Sequence, residues 1–195
     1  MSSSKGGRKE YQAARRDAPA LSIPLTALHQ KDLLTVESLT VSEIELILKT
    51  AESMKEVLSR PVPKVPALLD KTVALLFYEP STRTRASFEM AAKALSANVT
   101  TLQSQGSSAQ KGESLKDAAK TLEAIGADAI VIRHNAAGSP DLVARNVKGS
   151  VINAGDGAHA HPTQALLDLL TLRERKGNLH GLRVAIVGDI SHSRV

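Results

Sequence analysis

An α/β fold, a parallel sheet with helices on both of its faces, is what this 195-residue sequence predicts, and three features carry the prediction. Short uninterrupted apolar runs, such as TVALLFY at Thr72–Tyr78 and AIVI at Ala129–Ile132, have the length and β-branched content of strands buried on both faces. The segments between them carry apolar residues at helical spacing. From residue 72 onward the two kinds alternate, the order that builds a parallel sheet through crossover helices.

In chain order, the first thirty residues combine Ser2 to Ser4, Gly6 and Gly7 with Lys5, Arg8, Lys9, Arg15 and Arg16, and show no apolar period. They are expected to form a disordered basic tail. Thr40-Val41-Ser42-Glu43 reads as a capping box, with Leu39 and Ile44 placed as a hydrophobic staple. Ile44, Ile47, Leu48, Ala51, Met54 and Leu58 follow at helical spacing until Pro61 stops the run. The segment 60–66, with three prolines, is a connector. Strands are expected at 72–78, 98–102, 129–132, 151–153 and 183–187, and helices at 84–95, 115–125, 140–145 and 162–175. Gly126 suits the position after a helix end, and Ser139-Pro140 reads as an N-cap followed by proline at the first helical position.

Composition excludes several function classes. No apolar run of about eighteen residues is present to cross a membrane, and no apolar segment near the N-terminus reads as a secretory signal, so a cytoplasmic location and no membrane partner are expected. The absence of cysteine removes disulfides, thiolate catalysis and cysteine-held metals. His159-x-His161 has no convincingly spaced third ligand, and no metal is expected. Neither Gly-x-Gly-x-x-Gly nor a Gly-Lys-Ser/Thr loop occurs, so no nucleotide cofactor is expected. The net charge is +5, yet two Phe, two Tyr and no Trp leave little surface for stacking bases, which argues against nucleic acid.

The most informative stretch is Ser81-Thr82-Arg83-Thr84-Arg85, placed where the strand ending at Tyr78 gives way to a helix. The first N–H groups of a helix lack partners within it, and its dipole is positive there. Three hydroxyls add short donors, and two arginines add planar forks that grip phosphate or carboxylate oxygens in pairs. Two guanidinium groups so close to one helix start repel each other unless an anion lies between them. The block therefore reads as a phosphate cradle, against the plainer alternative of an ordinary Ser/Thr cap with solvated arginines. Arg133 ends an apolar strand, where a charge is costly unless it meets an acid or an anion. His161 precedes Pro162 at a helix start, where its ring either donates to a bound oxygen or serves only as a cap. In open parallel sheets ligands sit beyond the carboxyl ends of the strands, and these residues fall there.

Ser81 to Arg85 followed by Ala86-Ser87-Phe88-Glu89 resembles the carbamoyl-phosphate signature of the aspartate and ornithine carbamoyltransferase family. Four further segments match in order: Lys111-Gly112-Glu113-Ser114, Ile132-Arg133-His134, Asn153-Ala154-Gly155-Asp156-Gly157, and His161-Pro162-Thr163-Gln164. Val187-Gly188-Asp189 with Arg194 resembles the start of the family's second domain. Thr163 stands where ornithine enzymes usually carry cysteine, which points to the aspartate branch.

The resemblance implies a division into the tail at 1–30, a carbamoyl-phosphate-binding domain at 31–161, a linking helix at 162–176, and the first strand of a truncated aspartate-binding domain at 177–195. It implies transfer of a carbamoyl group from carbamoyl phosphate to L-aspartate, giving N-carbamoyl-L-aspartate and phosphate, the second step of de novo pyrimidine biosynthesis. Another amine acceptor such as ornithine, or a binding module without turnover, are the alternatives. Ser81, Thr82 and Arg83 would hold the phosphate; Thr84, Arg133 and His161 would meet the carbamoyl oxygen, Arg133 bridging it to the phosphate; and Gln164 would contact the carbamoyl amide. Ser107 and Lys111 lie in a Gly/Ser-rich loop that by composition is simply polar and by resemblance reaches the site of a neighbouring subunit in a homotrimer. Lys111 and Arg194 would bind aspartate. With no strong general base in view, the departing phosphate is expected to help take the amine proton. Regulatory subunits or fused pathway enzymes remain open as partners.

Overall fold

The structure, a computed structural model, describes residues 27–103 and 114–194. Helix α1 (Val41–Leu58) begins with the expected box: the Thr40 hydroxyl accepts from the Glu43 N–H, while the Glu43 carboxylate accepts from the Thr40 N–H. Strand β1 (Thr72–Phe77) is followed by α2 (Thr82–Ala94), β2 (Asn98–Gln103), α3 (Leu115–Ala124), β3 (Ala129–His134), α4 (Ser139–Ala144), β4 (Ser150–Asp156) and α5 (Pro162–Lys176). All four strands are parallel, in the order β2-β1-β3-β4.

The pleat sends alternate residues to opposite faces, and each face has its own core. Ala74, Leu76, Ile130, Ile132 and Val151 pack with Ala119 and Leu122 of α3 and Val143 of α4. Val73, Leu75, Phe77, Val131 and Ala154 pack with Ala92 and Phe88 of α2. Both faces are therefore covered, as continuous apolar strands require. The outer edge of β4 is also paired: Leu33 donates to Val151 O and accepts from Asn153 N–H, so the segment before α1 closes that edge.

Three expectations change. The run 183–187 forms no strand or helix, and Val184, Ile186 and Val187 are exposed, because a strand needs a neighbour and no described segment pairs with it. The cap of α4 is Gly138, with φ 79°, rather than Ser139, whose hydroxyl instead donates to Ala136 O. Strand β4 also runs three residues past Asn153, through Ala154-Gly155-Asp156, whose two small residues and one acid apolar patterning does not mark. Gly126, at φ +100°, does follow the end of α3 as expected.

The order of the strands places the site. Chain progression from β1 to β2 runs one way across the sheet, and β3 then lies on the other side of β1. The crevice at such a switch point lies beyond the carboxyl ends of β1 and β3.

Candidate functional site

Beyond β1 and β3, three charged side chains from distant parts of the sequence meet. Arg133, the penultimate residue of β3, donates through Nη2 to Glu79 Oε1 and through Nη1 to Ala154 O at 3.0 Å. Arg194 donates through Nη2 to both oxygens of Glu79, at 3.1 Å each. The three side chains are only 12%, 23% and 23% exposed for Arg133, Glu79 and Arg194. Burial raises the Glu79 carboxyl's pKa, but the hydrogen bonds from the two guanidinium groups outweigh it and hold the group below the usual carboxylate range. One carboxylate against two guanidinium groups leaves a surplus positive charge in a poorly solvated place. Arg133 Nε and Arg194 Nη1 are moreover buried with no hydrogen-bond partner among the described residues. Such a cluster is built to receive an anionic or oxygen-rich ligand.

The backbone makes room for it. In the β3–β4 ladder Ile132 pairs with Asn153 and His134 with Asp156, so Ala154 and Gly155 together lie opposite the single Arg133. This is a β-bulge, a device that re-aims a side chain at a strand end. Gly155 has φ +113°, and a Cβ there would come within 2.8 Å of Arg194 Nη1 and 2.9 Å of Arg133 Nη1. Both guanidinium groups thus pack against a bare Cα.

The start of α2 lies on the β1 side of the same crevice. Ser81 occupies its N-cap in an extended conformation but its side chain makes no capping bond, and no acidic residue stands in the first turn. In α1 and α3, by contrast, Thr40 and Ser114 cap and Glu43 and Asp117 supply the negative charge. Thr82 and Arg83 are exposed and Thr84 is partly buried. The end of α2 facing the crevice therefore keeps its positive character for a ligand.

His161 is the N-cap residue of α5, yet its ring does not cap the helix. It shares a 3.3 Å hydrogen bond with Thr163 Oγ1. Burial, joined by the charges of Arg133 and Arg194, pushes the imidazole below its ordinary pKa and so favours the neutral ring, which can donate without carrying charge. A groove of about 240 Å³ runs between α2 and α5, lined by Thr84, Ser87, Phe88 and Ala91 on one side and His161, Thr163, Gln164 and Leu167 on the other. Gln164 Nε2 donates to Asp168 Oδ1 at 3.0 Å, which fixes the amide plane.

The fold thus brings Ser81, Thr82, Arg83 and Thr84 to one helix start, Thr84, His161 and Gln164 to one groove, and Arg133 and Arg194 to one carboxylate. Ser107 and Lys111 lie outside the described residues. The sequence reading missed Glu79 and gave Gly155 no role. Glu79 had a local signal, an acid lodged between a buried strand and a block with two arginines; Gly155 had only its place in a Gly-rich turn.

The chain matches the model of the aspartate/ornithine carbamoyltransferase carbamoyl-P binding domain over residues 31–174. It is 58% identical over 168 residues to the aspartate carbamoyltransferase catalytic subunit of Moorella thermoacetica, covering 86% of this chain and 55% of that one. With the corresponding subunit of Chloroflexus aurantiacus it shares 59% identity over 166 residues, covering 85% and 54% of the two chains. Among solved structures, aspartate transcarbamoylase from Trypanosoma cruzi in complex with carbamoyl phosphate superposes with a TM-score of 0.84 at 30% identity, over 91% of this chain and 57% of that one. The catalytic subunit of M. jannaschii aspartate transcarbamoylase superposes with a TM-score of 0.76 at 42% identity, covering 85% and 54% of the two chains. The chain spans about half the length of the curated relatives it matches.

Proposed function

The chain belongs to the aspartate/ornithine carbamoyltransferase family, and we propose that it supplies the carbamoyl-phosphate half of an aspartate carbamoyltransferase. The reaction is transfer of the carbamoyl group to the amine of L-aspartate, giving N-carbamoyl-L-aspartate and phosphate, in de novo pyrimidine biosynthesis. The observation that carries this reading is the pair of guanidinium groups sharing Glu79, with two buried donors left unpaired, beside an uncapped helix start. The names of the similar proteins support it, and the Trypanosoma cruzi enzyme has been solved with carbamoyl phosphate and aspartate together.

In this reading Ser81, Thr82 and Arg83 hold the departing phosphate with the first N–H groups of α2. Thr84, Arg133 and the neutral His161 donate to the carbamoyl oxygen as it becomes negative, each donor lowering the barrier by about 3 kcal/mol. The oxygen of the Gln164 amide accepts from the carbamoyl NH₂. Arg194, facing the same crevice, binds a carboxylate of aspartate, and Glu79 holds both arginines until substrates arrive. Ser107 and Lys111 complete the site from a neighbouring subunit of a homotrimer, and the departing phosphate takes the amine proton. Residues 31–161 form the carbamoyl-phosphate domain, 162–176 the linking helix, and 177–195 the opening of the aspartate-binding domain. The location is cytoplasmic; among the described residues no helix is long and apolar enough to cross a membrane.

The test joins the chain to an aspartate-binding half, supplies carbamoyl phosphate with either L-aspartate or L-ornithine, and measures the ureido product. N-carbamoyl-L-aspartate from aspartate alone is expected. Product from ornithine instead overturns the acceptor, and carbamoyl phosphate binding with no product from either marks a binding module.

A further inference from the structure

Behind the site lies a buried polar pair that the carbamoyl-transfer reading does not use. Asn153, midway along β4, and Asp156, its last residue, are each 1% exposed. Asp156 Oδ2 accepts from the Gly138 N–H at 2.8 Å, and Oδ1 accepts from the Ala160 N–H at 3.1 Å and from Asn153 Nδ2 at 2.8 Å. His159 Nδ1 lies 3.0 Å from Oδ2. Asn153 in turn reaches Leu34 O at 2.9 Å with Nδ2, and its Oδ1 accepts from the Gly155 N–H at 2.8 Å.

Three of these partners belong to segments that carry or contact site residues. Gly138 closes the loop that leaves Arg133 and His134; Ala160 directly precedes His161; Gly155 is the bulge residue against which Arg133 and Arg194 pack. The β3–β4 ladder ends at His134 and Asp156, with the Gly157 N–H donating to His134 O at 3.0 Å. Beyond that last backbone bond, the Asn153 and Asp156 side chains carry the link on to Gly138 and Ala160.

Energetics point the same way. Burying a carboxylate is costly, and an apolar pair of similar volume commonly serves stability as well or better. Here the carboxylate is satisfied on both oxygens by groups from two different loops, which an apolar pair could not align. Resting on the carbamoyl-transfer reading of the site, we propose that Asn153 and Asp156 are positioning residues that set the spacing between Arg133 and His161, and so determine how the carbamoyl oxygen is met from two sides.

Asp156→Asn tests this, because an amide can satisfy only one of the two sets of donors. Two readouts separate positioning from mere stability. The first is the imidazole titration of His161 followed by NMR. The groups facing that ring are Arg133 on β3, Arg194, Glu79 after β1 and Asp168 on α5 itself. If the pair seats His161 among them, its release from burial and from the two guanidinium groups moves the titration up toward the ordinary value of about 6.5. The second readout is the ratio of carbamoyl phosphate to inorganic phosphate affinity by calorimetry, which reports contacts to the carbamoyl end alone. That ratio is expected to fall about two- to tenfold, the worth of one well-placed hydrogen bond. A lower melting temperature with both readouts unchanged overturns the proposal. Should Asp156→Asn not fold, His159→Ala removes a donor whose side chain is 50% exposed, and is expected to move both readouts in the same direction by less. No movement in either then overturns it. If the unaltered chain binds both ligands equally, the carbamoyl reading fails on its own, and the His161 titration alone decides the role of the pair.

Discussion

At the scale of single residues, the site works by placing donors where one acceptor is too few. Glu79 neutralises one charge of Arg133 and Arg194 and leaves the other for a ligand. Arg83 is exposed at the start of α2 and makes no bond to this cluster; in the proposed function it meets the phosphate. Arg83→Ala is therefore expected to weaken phosphate and carbamoyl phosphate binding by about 1.5–3 kcal/mol, the worth of a charge-assisted contact, with the fold intact. Calorimetry against inorganic phosphate reads this, and unchanged affinity removes Arg83 from the cradle. His161 stands differently, since the charge it meets develops mainly in the transition state. In an enzyme with turnover, His161→Ala should lower kcat by about 10²–10³ while carbamoyl phosphate affinity changes far less. An unaltered kcat returns the ring to a packing role.

At the scale of elements, the helix starts divide by what they are for. Helix α2 leaves its first turn open, whereas α1 closes its own with a reciprocal box, and the difference has a pH consequence. Hydrogen bonds from the Thr40 N–H, the His29 N–H and the Thr40 hydroxyl lower the Glu43 carboxyl from the usual 4.5 to about 2. A carboxyl with a lower pKa in the folded state contributes stability that is fully present above pH 4.5 and is lost as pH falls toward 2. The denaturant midpoint should fall across that window, and Glu43→Gln should flatten the fall. A midpoint equally steep in the variant excludes Glu43 as the group responsible. Thr40→Ala, which removes only the hydroxyl half of the box, should cost about 1 kcal/mol at neutral pH.

At the scale of the whole molecule, a sheet that reverses its order at β1 and β3 concentrates the chemistry in one crevice, and everything proposed for a neighbouring subunit must reach that crevice from outside. A Gly/Ser-rich stretch of sequence carrying Lys111 suits the proposed site shared across a closed three-fold ring. In the enzyme with turnover, mixing inactive Lys111→Ala chains with inactive Arg83→Ala chains should then restore part of the activity, because some interfaces pair an intact cradle with an intact loop. Reassembled mixtures as inactive as their parents would place the loop in its own subunit or out of the reaction altogether.

What the sequence determined by itself is what local chemistry dictates. The apolar runs at 72–78 and 129–132 had to be buried strands, the Thr40–Glu43 box had to start a helix, and Ser81 to Arg85 at a helix start already read as an anion cradle. Arg133 and His161 stood out as candidates for the same reason, since a charge ending a buried strand and a ring preceding a helix proline are local anomalies. Tertiary structure decided the rest. Glu79 becomes significant only when β3 and residue 194 arrive beside it, and Gly155 only when two side chains from other segments fill the space its Cβ would take. The run at 183–187 shows the converse: its residues favour a strand, but a strand is a relation between neighbours, and no apolar pattern within one segment supplies the partner. Spacing along the chain fixes which groups are available, whereas the distances that let one carboxylate hold two arginines depend on segments brought together only when the sheet is assembled.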